Sequence, residues 1–169
     1  MDNTAYKTYF QNIAISHKQI LHSIDGKKAF FYTNDGQEVT QTVSGTGVSF
    51  PCMVLSIHNG KFADQNVIKN MMFGSFEIRD KVADATNYDN ILAAYTNCYN
   101  IGQQIIAKIQ RDMEDLGYNG AVPNFNINTV SYVYTGPMSD AQYGCKFSFE
   151  LMDDAYSPYS FNPDTYFNS

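Results

Sequence analysis

Three histidines, three cysteines and scattered carboxylates are the side chains here that could hold a metal, move a proton or attack a carbon. His17 and His22 stand five positions apart. On a helix that separates them by about 140°, so they cannot grip one ion from a shared face. His17 falls on an apolar seam and is expected as a hydrogen-bonded core or interface residue, and His58 reads as a turn residue before Asn59-Gly60. Cys52, Cys98 and Cys145 are odd in number, evenly spread and without CxxC spacing. That pattern argues against a disulfide framework and a zinc site. Each cysteine lies in an apolar run, which predicts buried free thiols and assembly in a reducing cytoplasm.

Nucleophile and phosphate motifs are equally thin. No Gly-x-Ser-x-Gly elbow occurs. Gly45-Thr46-Gly47 opens like a dinucleotide fingerprint, but position 50 is Phe and no helical pattern follows. Asp112, Glu114 and Asp115 cluster near the end of a predicted helix, and Asp153-Asp154 follow a predicted strand. Acids at a helix C-terminus oppose its dipole, so they are read as a solvated patch, with a cation site shared with a partner as the alternative. No acid is paired with a nucleophile or base. The expectation is therefore no catalytic site, no metal site and no cofactor. Two other classes stay open: a metal-dependent nuclease using Asp80 or Asp84, and a small-molecule module whose pocket is lined by Met71, Met72, Phe73 and Phe76.

Composition narrows the partners. The 169 residues suit one domain with a sizeable core, and 44% apolar content is ordinary for a globular chain. Charged residues are only 17%, while 13 Tyr and 12 Phe with no Trp fill the place of Lys and Glu. Large amphipathic side chains of this kind are typical of protein interfaces. The net charge of −6, with Lys27-Lys28 the densest basic cluster, disfavours a nucleic-acid phosphate backbone as a direct ligand. Nucleic acid passing through an acidic channel remains compatible with it. The first residues carry no apolar signal-like run, and no stretch approaches the ~18 apolar residues of a membrane helix.

The elements follow from periodicity. Tyr6, Tyr9, Phe10, Ile13, His17, Ile20, Leu21 and Ile24 predict a helix from about Thr4 to Ile24, stopped by Asp25-Gly26. Ala29 to Tyr32, an Asn34-Asp35-Gly36 turn, and Glu38 to Val43 form a hairpin signal whose polar second half suits an edge or projecting strand. Val48 to Ile57 reads as a strand that Pro51 places at an edge or near a bulge. In the next strand Met72, Gly74, Phe76 and Ile78 part from Phe73, Ser75, Glu77 and Arg79. Thr86-Asn87-Tyr88-Asp89 has the form of a capping box ahead of a helix from about Asn87 to Leu116. Its seam runs Ile91, Tyr95, Cys98, Gly102, Ile105, Ile109, Met113 and Leu116, over a length of about 45 Å. Gly102 in mid-helix predicts a close crossing by another element.

Two last strands, Thr129 to Tyr134 and Tyr143 to Met152, are joined through Gly136-Pro137-Met138-Ser139-Asp140. Cys145, Phe147, Phe149 and Leu151 form the inward side of the second. Residues 1–152 thus form a single two-layer α+β domain: a mainly antiparallel sheet against a long helix and an N-terminal helix. Residues 153–169 form an aromatic C-terminal arm. Its two prolines forbid regular structure, while Tyr156, Tyr159, Phe161, Tyr166 and Phe167 call for burial, either on its own domain or on a neighbour.

In this order of elements, over about residues 4–152, the chain resembles the tail terminator (tail completion) proteins of tailed bacteriophages and related neck-ring components of contractile injection systems. The resemblance rests on element order only, without a diagnostic motif; the Asn/Tyr-rich, Leu-poor composition separately resembles proteins of phages that infect low-GC gut bacteria. It implies a homo-oligomeric ring, commonly hexameric, at the head–tail junction of a virion. Such a ring caps the tail tube and docks to neck or connector proteins. On that reading Glu38, Thr40, Gln41 and Thr42 of the projecting hairpin, with Tyr156, Tyr159, Phe161, Tyr166 and Phe167 of the arm, make the partner contacts. The arm departs from the minimal family domain, so another neck ring or a tail-tube protein fits the same parts.

Overall fold

A computed structural model describes residues 1–34, 47–64, 68–115 and 124–154 of the chain. Helix α1 is Asn3–Ser16, and Asp2 caps it by accepting the Ala5 amide at 2.7 Å. Strands follow at β1 (Lys28–Thr33), β2 (Val48–Ser56), β3 (Asn59–Asp64) and β4 (Ile68–Lys81). Helix α2 (Tyr88–Glu114) precedes β5 (Asn124–Phe125), β6 (Ser131–Met138) and β7 (Gln142–Asp154). The sheet runs β1-β2-β4-β7-β5, with β3 beside β4 and β6 beside β7. Both helices pack on it, giving the two-layer α+β architecture expected from the pattern.

Helix α1 is shorter than its apolar spacing predicts. The Ser16 hydroxyl donates to the carbonyls of Asn12 and Ile13, and His17 turns to extended backbone at ψ 121°. Leu21 adopts a left-handed φ of 48°, and the His22 amide returns to the Ala14 carbonyl at 3.0 Å. Such local bonds compete with helix continuation. The consequence is a turn that folds Ile20 into the core while Leu21 and Ile24 stay exposed.

The sheet is mixed. β1 and β2 pair in parallel and every other pair is antiparallel. The strand with Pro51 is internal, between β1 and β4, and of the two expected settings, edge or bulge, it takes the bulge. Pairing jumps from Lys28↔Val48 to Phe30↔Met53, leaving Ser49 to Cys52 opposite Ala29 alone. The bulge lets proline sit where no ladder bond is demanded of it. β4 and β7 form the backbone of the sheet, in register from Lys69↔Asp154 to Lys81↔Gln142. β7 thus reaches Asp154, two residues past the boundary drawn at 152.

One sheet face carries the core. Met72, Phe76, Ile78, Cys145, Phe147, Phe149 and Leu151 are buried there, as their alternation predicts. Phe10 of α1 sits 5.9 Å from Phe76 and 5.8 Å from Phe149, and Phe76 stacks on Phe147 at 5.3 Å between ring centroids. Offset and tilted pairs of this kind add to the gain from buried area. Helix α2 is 27 residues, a rod of about 40 Å at ~1.5 Å per residue. Asn87 is its cap, taking the amides of Asp89 and Asn90, while Thr86 binds Asp84 instead. Its core stripe is Ala94, Cys98, Ile101, Ile105 and Ile109. The crossing predicted at Gly102 exists: a Cβ there would collide with the Phe147 ring.

Candidate interaction surface

Helix α2 has a second apolar stripe. Tyr88, Leu92, Tyr95 and Tyr99 recur at four-, three- and four-residue steps, about 100° round the helix from the core stripe. Because α2 lies along the β7 side of the sheet, that flank looks out over β6. β6 answers with Tyr132 and Tyr134 on its helix-facing side. Tyr95 meets Tyr134 at 5.0 Å between ring centroids and Tyr99 meets Tyr132 at 4.9 Å. Tyr132 and Tyr134 stand 5.9 Å apart, and Tyr95 sets its edge on Tyr143 at 5.6 Å.

This tyrosine array is open to solvent. Tyr88 is 73% exposed, Leu92 51%, Tyr132 52% and Tyr134 48%, values a core would not tolerate in apolar side chains, while Val133, 57% exposed, faces the opposite side of the strand. Below it, a groove of about 330 Å³ lies between α2 and the start of β6, lined by Tyr99, Gln103, Ile106, Ile127, Val130 and Tyr132. No charged side chain occurs from Asn124 to Met138, nor on the α2 flank between Leu92 and Ala107. Burial raises the hydroxyls of Tyr95 and Tyr134 further above their ordinary titration range. Contiguous apolar surface of this kind marks interaction sites on soluble domains.

The edge is also shaped. Among the described residues β6 pairs only with β7, from Ser131↔Ser148 to Thr135↔Gly144. Gly136, at φ 122°, and Pro137 break the register before Met138, and Asp140 and Ala141 take left-handed φ of 58° and 52° in the link to β7. Non-glycine residues in that region carry strain. On the other sheet face Glu77 and Arg79 are buried side by side, with Arg79 Nη2 2.6 Å from Glu77 Oε2. Thr135 closes the cluster by donating to the second Glu77 oxygen. A buried carboxylate paired and hydrogen-bonded in this way holds β6 to β4 across β7.

The residues named from the sequence fall differently. Glu38, Thr40, Gln41, Thr42, Tyr156, Tyr159, Phe161, Tyr166 and Phe167 all lie outside the described residues. Asp112 is corrected: it is buried, accepts from Tyr9 at 2.9 Å and pairs with Lys108, joining α1 to α2. Glu114 and Asp115 stay at the exposed helix end. Met72 and Phe76 belong to the core, while Met71 and Phe73 face the other way, so the four do not line one pocket. Asp80 accepts from Asn97 at 3.1 Å, and Asp84 is exposed and binds Thr86. His17 contacts Gln104 at 3.1 Å, His22 accepts the Ala29 amide, and His58 sets its edge against Tyr6. Among the described residues no three metal-ligating side chains converge, and no helix is long and apolar enough to cross a membrane. Cys52, Cys98 and Cys145 are buried free thiols, as expected; burial pushes Cys52 up to about 12 and Cys145 to about 11, and raises Cys98 further. Neither known family models nor curated proteins match the chain.

The tyrosine surface was the feature sequence reasoning missed. Its signal was present as the Tyr88-Leu92-Tyr95-Tyr99 spacing, hidden because Tyr95 also fits the core seam with Ile91 and Cys98.

Proposed function

We propose that this chain is a structural subunit that binds copies of itself, closing into a ring at the head–tail junction of a tailed phage or a related injection system. The ring caps the tail tube and docks to neck proteins, and the subunit does no chemistry of its own. One observation carries the reading: an uncharged, solvent-facing tyrosine array on α2 and β6 of a chain whose net charge is −6. Copies with that charge repel over most of their surface, and the contact that can overcome the repulsion is the one without charge. Repeated by rotation, a head-to-tail contact closes on itself. The α+β element order is the one the tail-terminator resemblance implies, and an acidic ring is suited to a channel through which nucleic acid passes without sticking.

The test is particle mass in solution with class-averaged images. A symmetric closed particle of several copies is expected, and Tyr132→Ser with Tyr134→Ser should weaken it at least tenfold. A chain that remains single at high concentration overturns the proposal.

A further inference from the structure

The outer edge of β6 is poorly defended against other strands. Natural edges are blunted with lysine, inward charges, proline or brevity. From Ser131 to Thr135 this edge reads Ser-Tyr-Val-Tyr-Thr, with strong β formers and no charge; Pro137 and its register shift guard only the far end of the strand, before the Met138↔Gln142 pair. Among the described residues its only partner is β7. An unguarded edge of that composition is a template for one more strand.

The geometry points to strand addition: the outer edge of β6 accepts a strand from a second copy of this chain, so that the sheet continues from one subunit into the next. This rests on the self-association proposed above and names its mode. Two arguments select a second copy as the occupant. The first is charge, because the edge and its tyrosine flank are neutral and tolerate a partner with the same net charge. The second is area. With ~200 Å² for a large side chain, the exposed parts of Tyr88, Leu92, Tyr132, Val133 and Tyr134 offer on the order of 500 Å². A stable interface takes about 800 Å² from each partner, and these side chains supply more than half of it. The hydrogen bonds fix the register of the contact while the tyrosines add the buried area.

Amide hydrogen exchange on the full chain tests this at concentrations above and below assembly. Amides in 131–135 should exchange at least tenfold more slowly in the assembled particle. Val133→Lys, which places a guarding charge on a half-exposed site, should weaken assembly at least tenfold, while Val133→Thr should assemble like the parent. Assembly without added protection of that edge, or full assembly of Val133→Lys, overturns strand addition and leaves the ring reading standing. A two-copy particle with a protected edge supports strand addition and overturns the ring. A chain that never associates overturns both.

Discussion

The two stripes of helix α2, one of small and branched aliphatic residues and one mainly of tyrosine, meet opposite ends. Ala94, Cys98, Ile101, Ile105 and Ile109 disappear under the sheet's aromatic layer, and Gly102 removes its own side chain so that Phe147 can press against the backbone. A quarter turn away, Tyr88 and Leu92 stand in water and Tyr95 and Tyr99 are only half covered by β6. Apolar character alone does not decide which stripe is core. The difference is the second layer: β4 and β7 underlie the first stripe, while the last strand of the sheet underlies the second. One stripe stabilises the fold; the other stays largely open to solvent.

That contrast can be broken at its strongest point first. Gly102→Val places branched carbon where the Phe147 ring sits, and chemical denaturation should show the chain largely unfolded. Phe147→Ala, which empties the same contact, should cost about 3–5 kcal/mol. Asp112→Ala removes the acceptor shared by Tyr9 and Lys108, and with it the buried link between α1 and α2, and should cost about 1–3 kcal/mol by the same measurement. On the other stripe assembly should fall as well. Tyr132→Ser with Tyr134→Ser removes half-buried rings packed on Tyr95, Tyr99 and Phe147 and should lower denaturation stability by about 1–3 kcal/mol, less than Phe147→Ala, while weakening assembly at least tenfold. Loss of stability with assembly intact in that variant would erase the distinction between the stripes.

Two smaller effects sharpen it. Asn87→Ala strips the cap beneath Tyr88 and should lower stability by about 1 kcal/mol, read as a drop in melting temperature. His17 and His58 are both held below their ordinary 6.5, each chiefly by burial. Protons then bind the unfolded chain more readily than the folded one. Stability from these groups is complete above about 6.5 and is lost as pH falls through their folded values, so melting temperature should decline between pH 7 and pH 5.

Much of this fold was legible in the residues. The alternation in Met72–Ile78 and Cys145–Leu151 marked the buried face, and Gly102 signalled a close crossing by another element, which Phe147 of β7 makes. Periodicity failed where a turn imitates a helix: Ile20 reaches the core by leaving α1 and returning, with Leu21 in a left-handed conformation that no spacing rule foresees. The parallel pairing of β1 with β2 was invisible for a related reason, because strand direction is set by connections and not by local pattern. Asp112 looked like one acid among three until Tyr9, 103 positions away, supplied its hydroxyl. The interaction surface was obscured because one residue, Tyr95, satisfied both stripes at once. Those contacts chosen for the hairpin and the arm lie outside the described residues, so the surface on α2 and β6 stands beside them as a separate candidate.

The seating of Phe147 on Gly102 also works as a mechanical key. A helix that slid by one turn would bring Cys98 or Ile106 onto the ring, and neither leaves room for it. The axial position of α2 is therefore indexed to β7, and with it the spacing of each tyrosine over β6. Any larger object built from these subunits inherits its pitch from that single missing side chain.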